Sequence, residues 1–141
     1  MQYRGAMQIW KCLVMCLFCS CAPRGTIGSG IKVQDILSAS ESWGGTPVVY
    51  PQGNAQIVGQ LIEIAPGAET GWHQHPVPVF GYSLAGELEI YLPDGRTKRV
   101  NAGEAMVEVS GMLHNGRNIG TTPVKIIVFY ASAVGQPVTL K

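Results

Sequence analysis

A chain of 141 residues is long enough for one domain with an ordinary core and short for two. Charged residues make up only 13% of it and the formal net charge is +1, so it carries no basic footprint for nucleic acid or for an anionic membrane surface. All four cysteines, Cys12, Cys16, Cys19 and Cys21, fall near the N-terminus, which leaves the rest of the chain without a disulfide or a thiol ligand.

From Lys11 to Cys21 the chain is almost wholly apolar after Arg4 and Lys11, and it is too short for a bilayer span of about 20 residues. That layout is the apolar core of a secretory signal. Cys21 follows the small Ser20 and precedes Ala22-Pro23-Arg24-Gly25, which resembles a bacterial lipoprotein signal lipidated at Cys21, although Phe18 stands where such signals usually carry leucine. A plain cleaved signal and a short buried helix are the alternatives, and Met7 is an alternative start. The expectation is a signal over 1–21 and a protein exported to the periplasm or outer membrane. Removing residues 1–20 takes Arg4 and Lys11 away and leaves a nearly neutral mature chain.

Residues 22–45 read as a tether and lead-in. The stretch to Gly30 is rich in Gly, Ser, Pro and Thr and cannot bury apolar surface. Ile31, Val33, Ile36 and Leu37 fit either a strand or a helical turn. From residue 46 to 140 short β-rich runs alternate with turn residues, as in a sandwich or barrel. The runs are Val48–Tyr50, Ala55–Ile64, Leu88–Leu92, Thr97–Val100, Ala105–Val109, Lys125–Ala131 and Val138–Leu140, with a strong turn at Pro93-Asp94-Gly95. Beyond residue 45 there is no sustained 3.6-residue period, which removes parallel α/β folds and helical bundles.

The chemistry lies in the placement of three histidines. His73 and His75 are two apart in a strand-like segment, so both imidazoles project to one side, as adjacent metal ligands on a strand do. By itself His-x-His is a weak signal. Around it runs Gly67, His73, His75, Val79 and Gly86, and further on Gly103, Val109, Gly111, His114 and Asn118. These spacings resemble the two motifs of the cupin superfamily, the first written Gly, His-x-His, Glu, Gly and the second Gly, Pro, Gly, His, Asn. Val79 replaces the glutamate and Val109 the proline; the other motif positions match.

The resemblance implies an all-β fold, a double-stranded β-helix or jelly-roll barrel over 46–140, with Ala131–Leu140 as its closing strand. It implies one divalent transition metal, iron, manganese, zinc or nickel, held by His73, His75 and His114. A small-molecule ligand or substrate is expected, no nucleic acid, and a homodimer. Val79 shares the parity of the two strand histidines and should face the same cavity, leaving a site of three neutral ligands. Glu108 precedes the His114 turn and could reach inward as a partner of the ligands; Asn118 should fix a loop through backbone bonds. Arg117 could meet an anionic substrate at the mouth. Trp72, Phe80 and Tyr82 have the opposite parity and should pack between sheets or copies. Glu63, Glu87, Glu89 and Glu104 read as surface charges.

Two kinds of function stay open. Three imidazoles on one face leave up to three coordination positions, as in a three-histidine oxygenase or a related isomerase or lyase. A scarcity of acid-base groups, with Glu63, Tyr82 and Glu108 the candidates, fits a non-catalytic binding or sensing module instead.

Overall fold

The computed structural model describes residues 29–141. The export signal expected over 1–21, with Cys21, falls outside the described residues. Among those residues there are seven strands and no helix: β1 (Ala55–Ile64), β2 (Val79–Ala85), β3 (Glu87–Tyr91), β4 (Thr97–Asn101), β5 (Ala105–Glu108), β6 (Asn115–Asn118) and β7 (Val124–Ala133). They form a four-stranded sheet in the order β1-β7-β2-β5 and a three-stranded sheet in the order β4-β3-β6. Every strand pairing is antiparallel. The fold is the expected jelly-roll sandwich.

Period-two patterning explains what each sheet buries. Val124, Ile126, Val128 and Tyr130 of β7 point inward, with Val79 of β2, Met106 of β5, and Leu88 and Ile90 of β3 in the same core. Their alternates point out: Ile57 and Leu61 of β1 and Phe129 of β7 are exposed large apolar side chains on the outer face of the larger sheet. Phe80 and Tyr82 sit on that same face, paired with Phe129 and Ile127, and are half-buried. Between β2 and β3 the chain reverses at Gly86, whose φ is +80° and where an added Cβ would lie 2.8 Å from the Pro123 carbonyl oxygen and from Val124 Cα. Both the backbone angle and the lack of room demand glycine.

The compact unit runs Asp35–Lys141; within it Ser42 is buried, and Trp43 donates its backbone N–H to Val107 at 3.1 Å. Several expectations on elements are corrected. Ile36 and Leu37 belong to neither a strand nor a helix. Val48–Tyr50 is not a strand, because its Val49 and Tyr50 are exposed and find no neighbouring strand to pair with. The closing strand ends at Ala133; a turn follows at Gly135 (φ +84°), and residues 138–140 return as a tail whose Leu140 bridges to Gln74. β2 and β6 were not among the expected runs.

Candidate metal centre

The histidine segment is extended but belongs to neither named sheet. His73 and His114 exchange both backbone bonds, N–H to O at 2.9 and 2.8 Å, so their side chains leave the same face of the pair. On the other side Gln74 exchanges both bonds with Leu140 at 2.9 Å, and His75 accepts from Gly111 at 2.7 Å. The C-terminal tail and the 110–114 turn thus clamp the segment that Pro76 and Pro78 keep out of a regular ladder. Gly111, with φ +68°, makes the bend that turns His114 inward.

The three imidazoles meet. One ligand atom from each of His73, His75 and His114 lies within 4.8 Å of the others, and the ring centroids are 4.4 to 5.0 Å apart. Each ring has its Nδ1 engaged by a backbone carbonyl: His73 by Gly71 at 2.7 Å, His75 by Val138 at 2.7 Å and His114 by Met112 at 2.8 Å. A carbonyl only accepts, so Nδ1 carries a proton in all three, and in the neutral ring Nε2 presents its lone pair. Thr139 Oγ1 adds a contact to His75 Nδ1 at 3.2 Å. None of these supports had a signature in the sequence, since three are main-chain oxygens.

Glu108 enters this cluster from β5. Its Oε1 is 3.2 Å from His114 Nε2 and its Oε2 is 3.5 Å from His75 Nε2. His114 is wholly buried, and its Nε2 is not aligned for a hydrogen bond with any partner. Burial works to raise the Glu108 pKa, but the contact with His114 and the charges of His114, His75 and His73 outweigh it and hold the carboxyl low. Burial lowers His75, and the nearby Glu108 charge and Val138 carbonyl only partly offset this. For His114 burial also acts downward, yet Glu108 and the Met112 carbonyl prevail and raise it. Tyr130 packs edge-on to His75 at 5.3 Å and donates to Gln60 Oε1 at 3.2 Å. Burial and the Glu108 charge push its phenol up.

The other expected residues separate by role. Val79 is fully buried, and its register partners across β5 and β7 are Glu108 and Tyr130, so it sits on the inward row between them. Asn118 donates to the Ile64 and Thr122 carbonyls at 2.8 Å each and accepts from Gly120 N–H at 2.9 Å, tying three loops together. Replacing Asn118 with alanine would strand the buried Ile64 carbonyl and free the Thr122 and Gly120 groups, and a destabilisation of about 2 kcal/mol is expected, read as a denaturant midpoint shift with the m-value kept. Arg117 pairs with Glu69 at 3.9 Å, Glu63 with Lys125 at 2.9 Å, and Glu89 with Arg99 at 3.0 Å. Glu104 accepts from Asn101 N–H at 2.7 Å. Trp72 meets Tyr91 edge-on at 5.2 Å.

His73, His75 and Glu108 line a chamber of about 50 Å³ whose other walls include Ile62, Leu88, Ile90, Met106, Ile126 and Val128, with no lysine or arginine. It shares His73, His75 and Tyr130 with a wider mouth of about 390 Å³ edged by Gln60, Glu69, Thr139 and Lys141. An open groove of about 800 Å³ elsewhere, along Tyr50, Pro78 and Gly135, contains none of the histidines. Size alone does not make it the site.

The fold and cluster define an all-β sandwich with an interior set of three convergent imidazoles. The cupin domain model matches residues 60–130, half of the chain, and the chain belongs to that family. Among solved structures it is similar to the DMSP lyase DddQ from Ruegeria pomeroyi, at 21% identity and a TM-score of 0.52, over 68% of this chain and 46% of that one. It is also similar to the oxalate decarboxylase of Lactobacillus farciminis in its formate complex, at 22% identity and a TM-score of 0.53, over 60% and 26% respectively. A Bacillus halodurans protein matches at 24% identity and a TM-score of 0.51, over 58% and 67%. The chain thus spans less than half of the lyase and about a quarter of the decarboxylase. No curated protein matches it.

Proposed function

We propose that this protein holds one divalent transition metal ion, iron, manganese, zinc or nickel, on the Nε2 atoms of His73, His75 and His114, and acts there on a small molecule. The observation that carries the reading is the convergence of one ligand nitrogen from each imidazole within 4.8 Å, with each Nδ1 taken up by a backbone carbonyl so that Nε2 is the nitrogen left for an ion. Imidazoles stabilising only themselves have no need to converge in this way. When bound, such an ion supplies Lewis acidity, and redox capacity where it is iron or manganese. The chain's own groups do the rest. The carbonyls fix the rings, the aliphatic walls exclude water, and a Tyr130 phenol with raised pKa stays protonated as a donor at neutral pH.

With no cation lining the chamber, the molecule it suits has an uncharged, compact body and an oxygen for the ion. An oxygenase-type reaction is the class we favour. Non-catalytic capture is the second reading, favoured because Glu108 and Tyr130 are the ionisable groups of the chamber besides the histidines. Purified residues 22–141 should contain close to one first-row divalent ion per chain. Turnover of small neutral substrates with oxygen uptake supports the enzyme, whereas saturable binding without turnover supports capture.

We also propose that the protein is exported and lipid-anchored through Cys21. Full-length protein in a Gram-negative host is expected in the membrane fraction, with Cys21→Ser released to the soluble fraction. Each buried methylene contributes about 0.8 kcal/mol, so the several acyl chains of a lipidated cysteine anchor stably. Unchanged partitioning of the variant would leave a plain signal as the reading.

A further inference from the structure

We propose that in this chain the carboxylate of the metal centre has moved from residue 79 to its neighbour across the strands, Glu108, which serves as a fourth ligand to the ion. The inference rests on the three-histidine reading. At position 79, where the motif resemblance puts glutamate, the chain has valine, and its partner in the β2–β5 register is Glu108. Register partners leave the same face of a sheet with their Cβ atoms about 5 Å apart. A carboxylate placed on either strand can therefore serve one interior point.

The side-chain geometry agrees. The two oxygens of Glu108 straddle His114 and His75, at 3.2 and 3.5 Å from their Nε2 atoms. The Nδ1 of His114 is taken up by the Met112 carbonyl, and its Nε2 lies 3.2 Å from the carboxylate but off the line of a hydrogen bond. An imidazole nitrogen and a carboxylate oxygen that face one interior point in this way can serve a common ion, which displaces any proton on Nε2. Glu108 is also buried, and the ion pairs it makes are with those two histidines, not with lysine or arginine. A divalent ion compensates such a carboxylate where neutral imidazoles cannot. The site then has one anionic and three neutral ligands in place of three neutral ones.

The experiment uses cobalt(II) and manganese(II) as probes on the purified protein, with affinity from competition titration and coordination from the cobalt visible spectrum and manganese EPR. Glu108→Gln keeps the shape and is expected to weaken binding about a hundredfold, the upper end of what even outer partners of ligands contribute, and to alter both spectra. Glu108→Val should be weaker still, and the exchange Val79→Glu with Glu108→Val should recover affinity to within about tenfold of the parent. Parental affinity and spectra in Glu108→Gln, with at most a lower melting point of the metal-free protein, would assign Glu108 to a structural pair and overturn the proposal while leaving the three-histidine site intact. An exchange variant as weak as Glu108→Val alone would overturn the interchange of positions. A parent that binds neither ion overturns both this inference and the reading beneath it.

Discussion

Replacing His114 with alanine is expected to abolish stoichiometric metal binding, with affinity lowered well beyond the roughly hundredfold that loss of an outer partner brings. Of the three imidazoles it is the one wholly enclosed, and its backbone is bonded on both sides to His73, so no neighbouring side chain can swing into its place. Its removal also leaves the Met112 carbonyl without its contact and Glu108 with only His75, at 3.5 Å, as a partner. The metal-free variant should therefore lose stability too, by about 2–4 kcal/mol from the cavity and the uncompensated carboxylate together. Metal analysis and calorimetric titration report the first effect, and melting of the metal-free protein the second. A variant that retains one ion per chain at parental affinity would remove His114 from the ligand set.

The convergence of the histidines was legible because it rests on two backbone rules. His73 and His75 share a side by strand parity, and the glycine spacings set the turn that brings His114 opposite them. The position of the carboxylate was less so. Parity places Val79 on the inward row, as found, but no rule within a single strand reveals that Glu108 is its register partner, since register depends on which strands meet. Glu108, expected as a residue that could reach inward from before the His114 turn, lies beside two of the imidazoles.

Strand β6, Asn115–Asn118, has no apolar side chain, so periodicity offers nothing; it is held by pairing with Leu88–Tyr91 and by the bonds of Asn115 to Glu69 and Tyr91. In β2 the inward row reads Val79, Gly81, Ser83, a pattern too weakly apolar to stand out, with Met106 and Ile126 close over the glycine. Val138–Leu140 shows the opposite case. Its β-branched run has strand propensity, yet the turn at Gly135 spends it on bracing the histidine segment, where the Val138 carbonyl and Thr139 hold His75.

The stability of the metal-free protein is expected to peak near pH 6.5 and to fall on both sides, while metal affinity rises with pH through the peak. The two histidines with shifted pKa values act on opposite sides of the ordinary histidine value of about 6.5. His114 is raised, so its contribution is complete below about 6.5 and is lost as pH climbs through its folded value. His75 is lowered, so its contribution is complete above about 6.5 and is lost as pH drops through its folded value. Glu108 is lowered as well, and its contribution is present above about 4.3 and is lost in more acid solution, adding to the decline on that side. Tyr130, raised above 10.0, stays protonated throughout this range. Metal binding reverses the preference of His114, because an Nε2 that ligates cannot hold a proton. Below the raised His114 value uptake of the ion should release a proton from that ring, and the loaded protein's stability optimum should lie on the alkaline side of the metal-free one. Denaturant midpoints of the two forms between pH 5 and 9, with calorimetry in buffers of different ionisation enthalpy, measure both effects. Coincident optima with no proton released on binding would show that the Glu108–His114 pair holds no proton for the metal to displace.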